Sequence, residues 1–366
     1  MENIPYLNLT NVPNSISGQW NKALAKVINS GIYINGPMKT KFENSFSQEI
    51  NSKFSVGVAN GLDGLVLALQ ALGATSSTKV AVPEHTFIAP WIAIEMVGAS
   101  PMCVPINSLG GMDLEFLESL TVKPDIVLIV HMHGIPADMS RVKKWASKHK
   151  VKILEDASQA HMAKVNDKYV GTWGDIGVFS LYPTKNLGAL GDAGIVVTNN
   201  QKYYSFLRSA SNYGLKKNSK YIHQILGRNS RLDEIQAALV NVNLKYIGSW
   251  NKKRAKLAKI YIELFTKHKI DFLNDKNSVY HHFIIYADNR ESLRNKLRKK
   301  GIGTEIHYPY LASEEYELIT NTPIREPSLN ALKFARNGIS LPLHHWNNSA
   351  EIKYIAQEVI NNYRYE

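Results

Sequence analysis

Two residues of this sequence, an aspartate and a lysine, lie in contexts that suit chemistry. Asp156 lies just past the apolar pair Ile153 and Leu154, at the end of a predicted strand, where open α/β sheets bind ligands. A carboxylate in such a place is shielded from water and should have a cationic partner. Lys185 follows Pro183 in a turn, and three glycines after it would let the backbone approach a bound group closely.

Together these two residues suit an enzyme that uses pyridoxal phosphate (PLP). In such an enzyme a lysine forms a Schiff base with the cofactor, and an acid keeps the pyridinium nitrogen protonated. Each residue also has an ordinary structural explanation, because a strand-end aspartate is usually a helix cap and a lone lysine is usually a surface charge. The spacing alone therefore leaves both explanations open.

The region between residues 50 and 200 predicts the sheet that would position these residues. Short apolar runs, mostly rich in β-branched residues, occur at 80–82, 102–104, 126–130, 153–154, 176–179 and 195–197. Runs of this kind are typical of strands that are buried on both faces. Helix-like stretches at 61–69, 88–97 and 141–148 lie between them. The alternation indicates crossover connections and a largely parallel α/β layer.

The pattern changes after this region. Residues 233–247 predict a helix with one apolar face, and 250–267 predict a long charged helix. Beyond them we predict a strand at 282–286, a basic helix at 290–300, a turn into another strand at 301–306 and a terminal helix at 351–363. We therefore predict a large α/β domain over residues 1–245, including an N-terminal arm, and a small α+β domain over residues 246–366.

The composition is that of a folded protein. With 366 residues, of which 44% are hydrophobic and 20% charged, the chain can bury a substantial core, which excludes disordered and fibrous classes. Cys103 is the single cysteine, so a disulfide within the chain and a cysteine-rich metal site are excluded. The twelve histidines include no His-Glu-x-x-His pattern, and we predict no metal site.

The net charge of +12 attracts anions but does not choose among them. The basic clusters at 216–220, 252–259 and 298–300 are first interpreted as solvated faces, and next as contacts for a phosphate-bearing substrate. Nucleic acid ranks last, because no nucleic-acid-binding motif accompanies the charge. No basic leader with an apolar run and no stretch of about 18 apolar residues occurs, so we expect a soluble cytoplasmic protein without a membrane partner.

Several motifs, in one order along nearly the whole chain, carry a resemblance to a known family. They are Ala59-Asn-Gly-Leu-Asp-Gly-Leu65, Val82-Pro-Glu-His-Thr-Phe87, Val130-His-Met-His-Gly-Ile-Pro-Ala-Asp138, Glu155-Asp156, Lys185, Leu226-Gly-Arg-Asn-Ser-Arg-Leu-Asp-Glu-Ile-Gln-Ala237, Gly301-Ile-Gly-Thr-Glu-Ile-His-Tyr308 and Leu341-Pro-Leu343. On these residues the chain resembles the DegT/StrS family of sugar aminotransferases. The resemblance implies an aspartate-aminotransferase-like fold (PLP fold type I), in which an α/β large domain with a mostly parallel sheet is joined to a smaller C-terminal α+β domain.

The resemblance also implies roles for individual residues. Lys185 would bind the cofactor covalently, and Asp156 would pair with its pyridinium nitrogen. Gln159 would lie near the hydroxyl of the cofactor ring, and the aromatic ring of Phe87 would stack on the cofactor.

The cofactor phosphate has its own set of expected contacts. By the same resemblance, the backbone N–H groups of Gly61 and Leu62 would meet the phosphate at the start of a helix, and Ser180 would add a hydroxyl. Asn229 corresponds to a residue that reaches the phosphate of the neighbouring subunit's cofactor. The resemblance therefore implies a homodimer with shared active sites, although a turn residue is the structural alternative for Asn229.

The segment after the lysine indicates where on the sugar the amine is placed. Many family members that aminate C4 have Thr-Thr-Gly-Glu-Gly-Gly there, whereas this chain has Asn186-Leu-Gly-Ala-Leu-Gly-Asp-Ala-Gly194, which resembles the enzymes that aminate C3 of dTDP-linked 3-keto-6-deoxyhexoses. The resemblance points to substrate contacts from a loop and from a His-Tyr motif. These candidates are Tyr213, Lys216, Lys220, Tyr221, His307 and Tyr308.

The expected reaction is a transamination with PLP and its amine form, pyridoxamine phosphate (PMP). L-Glutamate would provide the amino group, Lys185 would move the proton, and a dTDP-linked 3-keto-6-deoxyhexose would become its 3-amino sugar. The alternatives are amination of a 4-keto sugar nucleotide and a non-catalytic binding or regulatory protein on the same fold. A PLP-dependent sugar dehydratase is less favoured, since a histidine replaces the lysine in those relatives. An NAD-dependent dehydrogenase would need a Gly-x-Gly-x-x-Gly turn that the chain lacks.

Overall fold

The computed structural model describes residues 3–363, and its centre is a seven-stranded sheet. The β-strands, in chain order, are β1 (Phe54–Val58), β2 (Lys79–Pro83), β3 (Ser100–Val104), β4 (Ile126–Val130), β5 (Lys152–Asp156), β6 (Lys164–Val165), β7 (Lys168–Tyr169), β8 (Ile176–Ser180), β9 (Gly194–Thr198), β10 (Phe283–Tyr286) and β11 (Gly338–Leu341). The central sheet has the order β1-β9-β8-β5-β4-β2-β3. Strands β2, β3, β4, β5 and β8 are parallel, and β9 is antiparallel to both of its neighbours. The predicted mostly parallel α/β sheet is confirmed.

The helices flank this sheet and form much of the C-terminal part. In chain order they are α1 (Asn14–Ser30), α2 (Pro37–Glu49), α3 (Gly61–Ala71), α4 (Ala89–Met96), α5 (Leu114–Ser119), α6 (Met139–His149), α7 (Gln201–Ala210), α8 (Glu234–Leu244), α9 (Ile247–Lys267), α10 (Arg290–Lys299), α11 (Ala312–Thr320), α12 (Leu329–Asn337) and α13 (Ser349–Asn362). Strand β1 and helices α1 and α2 were not foreseen from the sequence.

The central strands are apolar throughout because both faces of the sheet are covered. In β4, whose five residues are all buried, Leu128 packs into the hydrophobic cluster that contains α3 and α4 residues. Its neighbours Val127 and Ile129 pack into the opposite cluster, which contains α6 residues. This alternation follows from the two-residue period of a strand.

The parallel strands end at one edge of the sheet, and this edge carries polar residues. Asp156 ends β5 and Ser180 ends β8, and the two strands are paired so that Asp156 lies opposite Val178. The chain then makes a loop over residues 181–193 before β9 returns antiparallel to β8. Lys185 is in this loop, so the sheet topology brings it to the edge that holds Asp156.

The C-terminal part packs around the antiparallel pair β10 and β11. Its hydrophobic cluster combines residues of α9, α10 and α13 with the two strands, and it includes Ile4 of the N-terminal arm. The arm is held by hydrogen bonds from Ile4 N–H to the Gly301 carbonyl at 2.8 Å and from Gly303 N–H to the Ile4 carbonyl at 2.9 Å. The strand predicted at 301–306 is wrong, because Ile302 and Glu305 make only isolated bridges there. The predicted domain boundary at 245 falls in the short break between α8 and α9.

Candidate active site

A cavity of about 400 Å³ opens at the carboxyl edge of the sheet. Residues between 60 and 192 form one side of this cofactor cavity, and residues from the C-terminal part form the other. The lining residues are Asn60, Gly61, Leu62, Leu65, Thr86, Phe87, Ala89, Val130, Asp156, Ser158, Gln159, Ser180, Tyr182, Thr184, Lys185, Asp192, His281, His282, His307 and Tyr308. Lys185 and Asp156, which are 29 positions apart in the sequence, are thus brought together.

The amine of Lys185 is in an environment that disfavours its charge. Burial lowers the pKa of Lys185 from 10.5 to about 8, and the carboxylate of Asp156 partly offsets this by favouring the protonated form. A lysine with such a pKa is neutral in a useful fraction of molecules near neutral pH. It can then act as a nucleophile or as a base.

Asp156 is nearly buried and is held by backbone. One carboxylate oxygen, Oδ1, accepts a hydrogen bond from the Ser158 N–H at 3.0 Å, and the residue is 7% exposed. The Asp156 carbonyl also accepts from the His131 N–H at 3.0 Å. The carboxylate is therefore fixed in a cavity wall, where it can face a cationic ring nitrogen.

The start of α3 and the end of β8 form a cradle for an anion. The Asn60 side chain caps the helix by accepting from the Asp63 N–H at 2.8 Å. Gly61 and Leu62 precede the first repeating hydrogen bond of the helix, so their N–H groups have no partner within it. A Cβ atom on Gly61 would lie 2.9 Å from the Ser180 Cβ, which means that glycine is needed for this close approach.

Gln159 and two aromatic rings form another wall. The Gln159 side chain accepts from the His133 N–H at 2.7 Å and donates to the Tyr308 hydroxyl at 3.1 Å, which fixes its amide. The rings of Tyr308 and Phe87 have centroids 5.6 Å apart. Phe87 is 53% exposed in this chain, because its ring borders the open cavity and not the core.

The C-terminal part contributes a group of three histidines to the site, of which only His307 was predicted from the sequence. The ring centroids of His281 and His282 are 4.1 Å apart, and those of His282 and His307 are 3.8 Å apart. Burial lowers the pKa of all three, to about 4 for His307 and well below the ordinary value for the other two. The three rings are therefore neutral at neutral pH. The adjacent pair His281-His282 was visible in the sequence, but only the fold places it against Lys185.

A second cavity of about 450 Å³ shares four lining residues with the cofactor cavity. We call it the histidine cavity, and its lining consists of Pro5, Tyr6, Leu7, Thr184, His281, His282, Glu305 and His307. The N-terminal arm forms one of its sides. Thr184, His281, His282 and His307 belong to both cavities, so the two spaces adjoin beside Lys185.

Five of the predicted site residues do not line the cofactor cavity of their own chain. Asn229 lies beside Arg228, which pairs with Asp63 at 2.9 Å, at a separate surface pocket. Tyr213, Lys216, Lys220 and Tyr221 belong to a surface loop, in which Tyr221 is 87% exposed. Gly61, Leu62, Phe87, Asp156, Gln159, Ser180, Lys185, His307 and Tyr308 all line the cavity.

The residues present fit PLP. The buried amine of Lys185 is placed for an aldehyde, the Asp156 carboxylate for a pyridine nitrogen, and the α3 N-terminus with Ser180 for a phosphate. An open sheet with these groups at its carboxyl edge defines a PLP enzyme of fold type I. Among residues 3–363, no three His, Cys, Asp or Glu side chains are grouped so that they could hold a metal ion.

Comparisons with known proteins give the family. The model of the DegT/DnrJ/EryC1/StrS aminotransferase family matches residues 14–360. A dTDP-3-amino-3,4,6-trideoxy-alpha-D-glucose transaminase of Streptomyces venezuelae is 36% identical over 346 residues, with 93% of this chain and 91% of the relative covered. A dTDP-3-amino-3,6-dideoxy-alpha-D-galactopyranose transaminase of Aneurinibacillus thermoaerophilus is 35% identical, with 84% and 85% covered.

A solved structure agrees with this match. The crystal structure of S. venezuelae DesV in complex with a ketimine intermediate has a TM-score of 0.94 and 34% identity, and covers 99% of this chain and 98% of that one. This chain belongs to the DegT/DnrJ/EryC1/StrS aminotransferase family. It is a PLP-dependent aminotransferase, as the sequence predicted.

A helix that crosses a membrane must be both long and apolar. Within residues 3–363, no helix meets both requirements.

Proposed function

We propose that this aminotransferase converts a nucleotide-linked ketosugar, a dTDP-3-keto-6-deoxyhexose, to its 3-amino sugar with L-glutamate as amino donor. The observation that carries the proposal is the buried amine of Lys185, whose pKa is lowered to about 8, in one cavity with Asp156. The names of two similar relatives, both dTDP-3-amino sugar transaminases, support the choice of sugar and of C3.

The residues of the chain have distinct proposed roles. PLP, when bound, supplies an electron sink next to the carbon that loses or gains a proton. Lys185 holds and moves that proton through Nζ, and the fixed carboxylate of Asp156 keeps the ring nitrogen protonated. Gly61, Leu62 and Ser180 would bind the phosphate, and Gln159, which is held by its hydrogen bond to Tyr308, would orient the ring.

Substitution of Lys185 tests the central assignment. Lys185→Ala should leave the fold unchanged and reduce turnover by at least about 10³-fold, because both the covalent attachment and the proton carrier are lost. The measurements are circular dichroism and single-turnover amination with glutamate. Full activity in Lys185→Ala would contradict the role given to this residue.

A substrate panel tests the position of amination. Purified enzyme with PLP and glutamate is offered 3-keto and 4-keto sugar nucleotides, and the products are identified by mass and nuclear magnetic resonance (NMR) spectra. We expect a 3-amino product. Exclusive 4-amination would overturn the regiochemistry while the aminotransferase class stands.

The proposal extends to assembly and location. We propose a cytoplasmic homodimer in which Asn229 of each chain, together with the loop that carries Tyr213, Lys216, Lys220 and Tyr221, serves the neighbouring chain's site. The support is that these residues lie away from the cofactor cavity of their own chain and are accessible to a partner. Lys216 and Lys220 would then meet the diphosphate of the substrate.

A further inference from the structure

A chain of buried amides connects the residue after Lys185 to the small domain. Asn186, which is 1% exposed, donates from Nδ2 to the Asn251 side-chain oxygen at 2.9 Å and to the Val279 carbonyl at 3.1 Å. Asn251 in turn donates from Nδ2 to the His161 carbonyl at 2.9 Å. The Oδ1 atom of Asn186 faces Nδ1 of His281 at 3.0 Å.

This arrangement fixes which ring nitrogen of His281 carries the proton. The carbonyls of His161 and Val279 can only accept, so the amide nitrogens of Asn251 and Asn186 must face them. The oxygen of Asn186 is then the atom that faces His281, and Nδ1 of the neutral imidazole must donate to it. Consequently Nε2 has a lone pair and is an acceptor.

The Nε2 acceptor of His281 has no protein donor among the hydrogen bonds of residues 3–363. His281 lines both the cofactor cavity and the histidine cavity. The histidine cavity has one carboxylate, Glu305, and no lysine or arginine in its described lining. Its chemistry therefore suits neutral hydroxyl groups and disfavours a diphosphate or a second carboxylate.

On this basis we propose that His281 is a specificity-determining residue, which accepts a hydrogen bond from a hydroxyl of the hexose ring in the histidine cavity. Asn186 is the positioning residue that keeps His281 in the accepting tautomer. This inference rests on the proposed function, because it concerns the sugar that the aminotransferase accepts. The proposed hydrogen bond does not involve the amino donor.

Two amide substitutions separate the two hydrogen bonds of His281. In His281→Asn the side-chain amide reaches the place of Nδ1, so the bond to Asn186 can be kept while the acceptor in the cavity is lost. In His281→Gln the longer amide reaches the place of Nε2, so that acceptor can be restored. The cofactor-loaded variants are studied by stopped-flow absorbance, which follows the half-reaction with glutamate and the half-reaction with ketosugar separately.

We expect His281→Asn to react with glutamate within about twofold of the wild-type rate and to lose about tenfold in kcat/KM for the ketosugar, as for one lost hydrogen bond. His281→Gln should recover most of that loss. An unchanged kcat/KM for ketosugar in His281→Asn, or equal losses in both half-reactions, would overturn the proposal. If the wild-type enzyme reacts with glutamate but with no ketosugar, the proposed function itself fails.

Substrate analogues identify the bond directly. The reverse half-reaction is measured with 3-amino sugar nucleotides that have or lack the hydroxyl at C4, and with a matched pair that differs at C2. The wild-type enzyme should distinguish one of the pairs by about tenfold, and His281→Asn should lose that discrimination. The proposal is wrong if the variant keeps the wild-type discrimination for both pairs.

The role of Asn186 has a readout independent of activity. In protein labelled with ¹⁵N-histidine, the His281 resonances, assigned by their loss in His281→Gln, should show a protonated Nδ1 and an unprotonated Nε2. Asn186→Leu removes the acceptor, and the ring should then populate both tautomers. Leu is similar in volume, and circular dichroism and bound-cofactor absorbance monitor the fold. A wild-type ring protonated at Nε2 would refute the assignment.

Discussion

At the scale of the residue, the chemistry of Lys185 depends on two opposing influences on its charge. Burial disfavours the ammonium form and the Asp156 carboxylate favours it, with burial the stronger, so that the pKa is about 8. At pH 7 the neutral fraction is then about one tenth, compared with about 0.03% for an unperturbed lysine. Asp156 thus has a second effect besides its proposed pairing with the ring nitrogen of the cofactor. It prevents the Lys185 amine from becoming neutral at still lower pH.

This balance predicts a pH dependence for the uptake of cofactor by the apoprotein. The neutral amine is the nucleophile, so the rate at which bound-cofactor absorbance appears should increase with pH and level off above a midpoint near pH 8. In Asp156→Asn the amine loses its favourable partner, and the midpoint should move to lower pH. Stopped-flow absorbance between pH 6 and 10 measures both midpoints. A wild-type midpoint near 10, or an upward shift in Asp156→Asn, would contradict this explanation.

At the scale of the element, the sequence predicted the parts whose pattern is local. The apolar run at 126–130 indicated a buried strand, and the motif around Asp156 indicated a strand end, both as found. The prediction of a strand at 301–306 was wrong. The backbone partners of this segment are Ile4 and Ser340, which are far away in the sequence, and each makes only an isolated bridge with it. Local propensity does not contain such contacts.

The start of α3 offers a test at this scale. Gly61→Ala places a Cβ 2.9 Å from the Ser180 Cβ, so the helix must move away from β8 and the phosphate cradle widens. We expect the dissociation constant of PLP to increase by about tenfold, an amount equivalent to about 1.4 kcal/mol.

Gly18→Ala is the matched control for this substitution. Gly18 is inside α1, and a Cβ atom added there would meet no other atom within 4 Å, while alanine favours the helix by up to about 1 kcal/mol. This variant should bind PLP as the wild type does and unfold at an equal or higher temperature. Fluorescence titration with PLP compares the two variants. Equal affinities for Gly61→Ala and wild type would show that the close approach of Gly61 to Ser180 has no part in binding.

At the scale of the whole molecule, the site is built from two parts of the chain that are far apart in sequence. Asp156 and Lys185 come from the central sheet and the loop after β8, and His281 and His307 come from the C-terminal part. The His281-His282 pair is present in the sequence, but no local pattern relates it to a lysine 96 positions away. The interaction depends on how the C-terminal part packs, and no pattern within either segment reports that packing.

The surface of the molecule also has features that indicate contacts between chains. Leu226 is 96% exposed and Ile222 57% exposed, close in sequence to Asn229 and in the same part of the chain as the predicted substrate loop. Exposed apolar side chains that occur together on a surface indicate an interface. The proposed shared site is therefore tested by mixing subunits.

Mixed dimers of two defective chains should regain activity if Asn229 serves the partner's site. In a dimer of Lys185→Ala with Asn229→Ala, one site receives both defects and the other receives neither. Equal mixing after reversible dissociation should therefore give about a quarter of the wild-type activity, from one intact site in half of the dimers. If each chain uses its own Asn229, every site keeps one defect, and the mixture has only the average activity of the two parents. Sedimentation of the same mixture measures the fraction of dimers, so the recovered activity can be compared with the number of intact sites that the shared arrangement requires.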